Sequence, residues 1–106
     1  MQVRKRDGRY EDFQQKKLIT GMMSACNRTT ISHEQVLVLA SRITADLMQK
    51  QPNEVSTTEL GDIVMGELQR LDPIAYIRFA CVYRRFKNVE ELMDAIQSIQ
   101  AKDGNV

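Results

Sequence analysis

The sequence predicts a mostly α protein with a small β cap, an α+β fold. An N-terminal β-hairpin is expected to pack on a bundle of about four helices plus a C-terminal helix. Three observations carry this expectation. The opening QVRKRDGRYEDF sets Asp7-Gly8 between two short segments, and a D-G dipeptide marks hairpins because both residues tolerate positive φ. From about residue 13 onward, apolar residues recur at helical spacing. Capping signals then punctuate that stretch: SHEQ at 32–35, STTE at 56–59 and Asp72-Pro73.

The hairpin comes first. Residues 2–6 and 9–13 are its expected strands, joined by a two-residue type I′ turn at Asp7-Gly8. A lone hairpin is barely stable in water, so it must lie on another element. Asp12 is the expected N-cap of a first helix from about Phe13, with Gln15 completing a capping box. Leu18, Ile19, Met22, Met23, Ala25 and Cys26 put one broad face of that helix on the core. Asn27 and the threonines after it end the helix.

Ser32 caps the second helix and Gln35 reaches back to it, with Val36, Leu39, Ala40, Ile43 and Leu47 on the core face. Gln51-Pro52-Asn53 is a break and a connector. Ser56 and Glu59 open a third helix carrying Leu60, Ile63, Val64, Leu68 and Leu71. Asp72 caps a fourth, with Pro73 at its first position, where a missing N–H costs nothing. Ile77, Ala80, Cys81 and Val82 are its expected apolar residues, with Tyr76, Phe79, Tyr83 and Phe86 supplying bulk. Asn88 and Glu91 start a last helix through Val89, Leu92, Met93, Ile96 and Ile99. Residues 1–100 thus form one expected domain, and the polar AKDGNV at 101–106 is an expected disordered tail.

Composition narrows the function classes. A formal net charge of +1 is too small for the whole surface to act as a polycation, so an anion site must come from local clustering. Cys26 and Cys81 lie in apolar runs without a C-x-x-C, and His33 is the sole histidine. Four zinc ligands are therefore not available from Cys and His. A disulfide is allowed on count alone, but buried free thiols in a reducing compartment are the expectation. No apolar run approaches the ~20 residues of a membrane span, and acidic residues and glutamines follow the basic start instead of a signal-peptide core. The expected location is the cytoplasm. No phosphate-loop, dinucleotide, nucleophile-elbow or zinc-protease motif occurs, so no catalytic residue and no enzyme activity are expected.

Two clusters stand out. Arg4, Lys5, Arg6 and Arg9 crowd the hairpin, Glu11 lies on the return strand, and Lys16 and Lys17 open the first helix. Strand alternation puts Val3 and Lys5 on one face and Arg4 and Arg6 on the other. Lysines from the hairpin and the adjacent helix could converge on a phosphate chain, aided by a helix N-terminus. An ordinary solvated basic face accounts for the same residues. The second cluster is Tyr83-Arg84-Arg85-Phe86-Lys87. An aromatic beside arginines can stack on a base and pair with phosphate. Equally, Tyr83 and Phe86 can be core residues while the arginines cap the helix end.

The opening VRKRDGRYEDFQQKKL resembles the signature of the ATP-cone family through Val3, Lys5, Arg6, Asp7, Gly8, Glu11, Phe13 and Lys17. The stretch 55–92, above all AYIRFACVYRRF, is similar to the cones of bacterial repressors of ribonucleotide reductase genes. The resemblance covers about residues 3–98. It implies a module that binds ATP or dATP between the β cap and the bundle, nucleotide identity changing the homo-oligomeric state. By position it implies a pocket of Val3, Lys5, Arg6, Glu11, Lys17, Leu18, Thr57 and Tyr83. Lys5, Arg6 and Lys17 would hold phosphates, Glu11 a more distal polar group, and Val3 and Leu18 the base. Thr57 and Tyr83 would close the site from the bundle side. Mg²⁺ is a plausible companion of the phosphates, though no dedicated carboxylate cage is visible. Repressors of this kind reach operator DNA through a four-cysteine zinc ribbon, which this sequence does not contain. An excised cone, a stand-alone cone and a reductase-associated cone all remain open. So do two ligand-free readings: a basic nucleic-acid-binding module using Arg4, Arg6, Arg9, Arg84 and Arg85, and a helical protein-interaction module.

Overall fold

The computed structural model describes the backbone of residues 1–84, 86 and 88–104, and the side chains of 1–83, 86 and 88–97. Its elements run β1 (Gln2–Arg4), β2 (Tyr10–Asp12), α1 (Gln15–Cys26), α2 (His33–Lys50), β3 (Glu54–Ser56), α3 (Thr57–Leu71), α4 (Pro73–Arg84) and α5 (Val89–Gly104). A small sheet on a helical bundle is the expected α+β architecture.

The hairpin pairs Gln2 with Asp12, Val3 with Glu11 and Arg4 with Tyr10. Its turn differs from the expected two-residue type I′. Lys5 N–H donates to the Arg9 carbonyl at 2.7 Å, and Gly8 N–H to the Lys5 carbonyl at 3.0 Å. Only Gly8, at φ +89°, takes positive φ in this loop. This is the three-residue loop in which a type I turn ends in a left-handed glycine. Asp7 keeps negative φ and folds its carboxylate back onto Arg9, 3.1 Å from the backbone N and 2.6 Å from Nε.

The cap is also larger than a hairpin. β3 adds to β1 in parallel, with Val3 beside Val55, giving the order β2-β1-β3. Three residues with one apolar side chain offer no alternation to read. The partner strand is distant in sequence, so β3 was hidden in the connector after Pro52. Val3 and Val55 are buried and key the sheet into the core.

Asp12 does not cap α1. It stays in β2, where its carboxylate accepts from Gln2 Nε2 at 2.5 Å, and Gln14 occupies the cap position without a side-chain bond. The other caps form as read. Ser32 and Gln35 make the full capping box. Ser56 Oγ accepts from Glu59 N–H at 3.0 Å, and Asn88 Oδ1 from Glu91 N–H at 2.9 Å.

The core gathers Met22 of α1, Val36, Leu39 and Ile43 of α2, Val64 and Leu68 of α3, and Tyr76 and Ala80 of α4. All five expected residues of α2 are buried. In α3, Met65 is buried while Ile63 and Leu71 are exposed, so the core-facing stripe is rotated from the expected one. In α4, Ala75 is buried while Cys81 and Val82 face outward. Cys26 is buried as expected, and both thiols are free. Burial, with the nearby Asp72 charge, pushes the Cys26 thiol up and keeps it inert. In α5, Ala95 is buried, Leu92 is half-buried, and Val89, Met93 and Ile96 are exposed. The Ile99 side chain lies outside the described residues.

Candidate functional site

The sheet sits over the bundle so that β1 and β2 face α1, α3 and α4. Between them is a cavity of about 180 Å³. Its apolar walls come from Val3, Phe13, Leu18, Leu60, Val64 and Phe79; its polar groups from Lys5, Glu11, Asp12, Gln14, Lys17, Thr57 and Tyr83. A wider cleft of about 990 Å³ adjoins it, sharing Lys5, Gly21, Thr57, Phe79 and Tyr83 and adding Arg6, Arg9, Arg78 and Ser24.

Seven of the eight residues named from the sequence therefore line the smaller cavity: Val3, Lys5, Glu11, Lys17, Leu18, Thr57 and Tyr83. Arg6 faces the cleft instead. It sits in the turn rather than in a strand, so it leaves the alternation that paired it with Arg4. Its Nη2 donates to the Tyr83 carbonyl at 2.9 Å, and its guanidinium carbon lies 5.3 Å from the Tyr83 ring centroid.

The electrostatics centre on Glu11. Its Oε1 lies 2.9 Å from Lys17 Nζ and 3.4 Å from Lys5 Nζ. The Lys17 hydrogen bond, with the two ammonium charges and against desolvation, holds the Glu11 carboxyl below its ordinary range. All three side chains are partly exposed, so solvent screens both pairs.

Tyr83 is the residue that joins the layers. Its hydroxyl donates to the Thr57 carbonyl at 2.7 Å, and its ring stacks on Phe79 with centroids 5.8 Å apart. Thr57 Oγ1 in turn donates to the Arg4 carbonyl at 3.2 Å. The ring lies directly on Gly61, where an added Cβ would land inside it. Gly61 and Phe79 were not singled out as site residues from the sequence. For Gly61 a signal existed: a glycine inside a helical pattern often has a packing reason.

The remaining basic residues are partly neutralised. Arg4 pairs with Glu54 at 3.9 Å and Arg9 with Asp7 at 2.6 Å. The Arg84 side chain, Arg85 and Lys87, the three cations of the second cluster, lie outside the described residues. Among the described residues no group of His, Cys, Asp and Glu could hold a metal ion. Nor is any helix among them long and apolar enough to cross a membrane.

A family model described as the ATP cone domain matches residues 1–89. A transcriptional repressor NrdR of Protochlamydia amoebophila is 61% identical over 103 residues, covering 97% of this chain. The NrdR repressors of Chlamydia trachomatis and Chlamydia felis are 56% and 54% identical over 98 residues, or 92% of this chain. The chain spans 64% of the length of each of these relatives.

Proposed function

Because the chain belongs to the ATP-cone domain family, we propose that it is the ATP- and dATP-sensing regulatory domain of an NrdR-type repressor of ribonucleotide reductase genes. Nucleotide identity then controls its oligomeric state. The role is regulatory rather than catalytic, its setting is the bacterial cytoplasm, and operator DNA is reached through a part of the repressor outside this chain. The relatives are named as repressors, and that name supports the reading.

The observation that carries it is the pair of lysines, Lys5 and Lys17, gathered on one Glu11 oxygen beside an apolar cavity. Val3 and Leu18 supply flat apolar surface for a base, and Phe79 adds an aromatic wall. A volume of about 180 Å³ is below the ~300–1,000 Å³ of pockets that hold drug-sized ligands. A base fits this cavity, whereas a whole nucleotide must extend into the adjoining cleft. Lys5 lines both, which supports a phosphate chain that passes beside it from one to the other. The site residues are Val3, Lys5, Arg6, Glu11, Lys17, Leu18, Thr57 and Tyr83. ATP and dATP differ by one hydroxyl, which a polar group such as Glu11 reads through a hydrogen bond made or missing.

The test is size-exclusion chromatography with light scattering on nucleotide-free protein, then with ATP or dATP, with and without Mg²⁺. Bound nucleotide is quantified in each peak. The expected result is co-eluting nucleotide and a mass that differs between the two ligands. Lys5→Ala and Lys17→Ala each weaken binding about tenfold or more. No bound nucleotide, or unchanged affinity in both variants, overturns the assignment of this pocket.

A further inference from the structure

Tyr83 lies in the last turn of α4, where carbonyls have no partner within the helix. Arg6 fills that gap: it brings a cation to a helix C-terminus, with a 2.9 Å bond to the Tyr83 carbonyl and its guanidinium over the ring. Tyr83 is anchored in turn to the Thr57 carbonyl, and Thr57 to the Arg4 carbonyl. Four residues thus close a circuit from the hairpin through the start of α3 to the end of α4. Arg6 lies in the cleft that Lys5 shares with the smaller cavity. A phosphate reaching past Lys5 therefore competes for the Arg6 guanidinium. That competition favours the phosphate, because a two-pronged bond to an anion is stronger than a bond to a neutral carbonyl.

We propose that Arg6 is a latch, closed on the Tyr83 carbonyl in the ligand-free chain and transferred to the phosphates when a nucleotide binds. The transfer frees the last turn of α4. This rests on the nucleotide reading above and supplies its output, since α5 begins just beyond that turn and packs back on α4. Arg6 is then a coupling residue as much as a ligand.

The test is hydrogen exchange at the amides of residues 81–84 in the 106-residue chain, wild type, Arg6→Gln and Arg6→Lys. ATP binding to each is measured in parallel by equilibrium dialysis. Without ATP, Arg6→Gln exchanges about three- to tenfold faster than wild type in this turn. Saturating ATP brings the wild type to that faster rate and leaves Arg6→Gln unchanged. Arg6→Lys, which keeps the charge but loses the fork, falls between them and replaces Arg6→Gln if that variant does not fold. Equal exchange in wild type and variants without ATP overturns the latch. So does ATP that binds the wild type without speeding the turn. Absence of ATP binding by the wild type in the dialysis overturns the nucleotide reading itself and the release with it, and is told apart by that readout.

Discussion

Asp72 is buried, at 7% exposure, yet both of its carboxylate oxygens are in use. Oδ1 accepts from the backbone of Ile74 at 2.8 Å and Ala75 at 3.2 Å, capping α4. Oδ2 accepts from the Thr30 backbone at 3.1 Å and hydroxyl at 2.8 Å, tying the α1–α2 connection to α4. The cap was legible in Asp-Pro; the Thr30 bonds were not, because nothing local announces a partner far along the chain. Burial alone would raise this carboxyl's pKa, but the bonds from Thr30, Ala75 and Ile74 outweigh it and hold the pKa below the ordinary 3.8. A lowered native pKa means stability that is present above that ordinary value and is lost as pH falls through the native one. Asp72→Asn turns an acceptor facing Thr30 into a donor and costs about 1–3 kcal/mol at pH 7. At about 4–8 °C per kcal/mol, thermal unfolding reads this easily. The gap between wild type and variant narrows as the pH is taken below about 4. A gap of the same size at pH 7 and pH 3 would show that the carboxylate charge contributes nothing.

At the scale of elements, the helices were readable from their period, as the five buried residues of α2 show, and all but α1 also from a cap. The hairpin strands were announced by Asp7-Gly8, but β3 was not readable, since it acquires its identity only from pairing with β1. The site followed the same division. The hairpin and α1 residues were visible as a charge cluster, and the Tyr83–Gly61 contact that joins α4 to α3 emerged only with the packing. Gly61→Ala weighs two effects against each other. Alanine in a helix interior gains up to about 1 kcal/mol over glycine, while its methyl displaces the Tyr83 ring at an overpacking cost of about 1–3 kcal/mol. Tyr83 is half-buried and can swing outward, which keeps the net loss at the low end, about 0–2 kcal/mol. The larger consequence falls on the site, because a displaced ring loses the Thr57 carbonyl and the Arg6 stack. A small change in unfolding temperature with ATP affinity lowered at least tenfold is the expected pattern from melting and calorimetric titration. Undiminished affinity would separate Tyr83 from the binding site.

At the scale of the molecule, α5 packs on α4, with Ala95 buried and Leu92 half-buried, and leaves Val89, Met93 and Ile96 facing solvent at helical spacing. Val82, 78% exposed, stands in the last turn of α4, next to the connection that leads into α5. The sequence showed that α5 is amphipathic, but an apolar stripe reads the same whether it meets its own chain or another. The structure divides it: one part is spent in cis, the rest is outward. If the assembly proposed above uses this stripe, an interface of about 800 Å² per partner would centre on it, with a rim that depends on how α5 is held. That is where the end of α4 matters. If nucleotide exchange at the hairpin frees this turn, it alters the presentation of the stripe without altering the core. Met93→Lys with Ile96→Lys, placed on the exposed face, should leave folding and ATP affinity within about twofold of wild type, as surface changes usually cost under 0.5 kcal/mol. The same variant should abolish the nucleotide-dependent change in mass by light scattering, because buried unpaired ammonium groups are not tolerated in an interface. Assemblies of unchanged mass in the variant would move the contact away from α5, and a loss of ATP binding would show the stripe to be part of the fold instead.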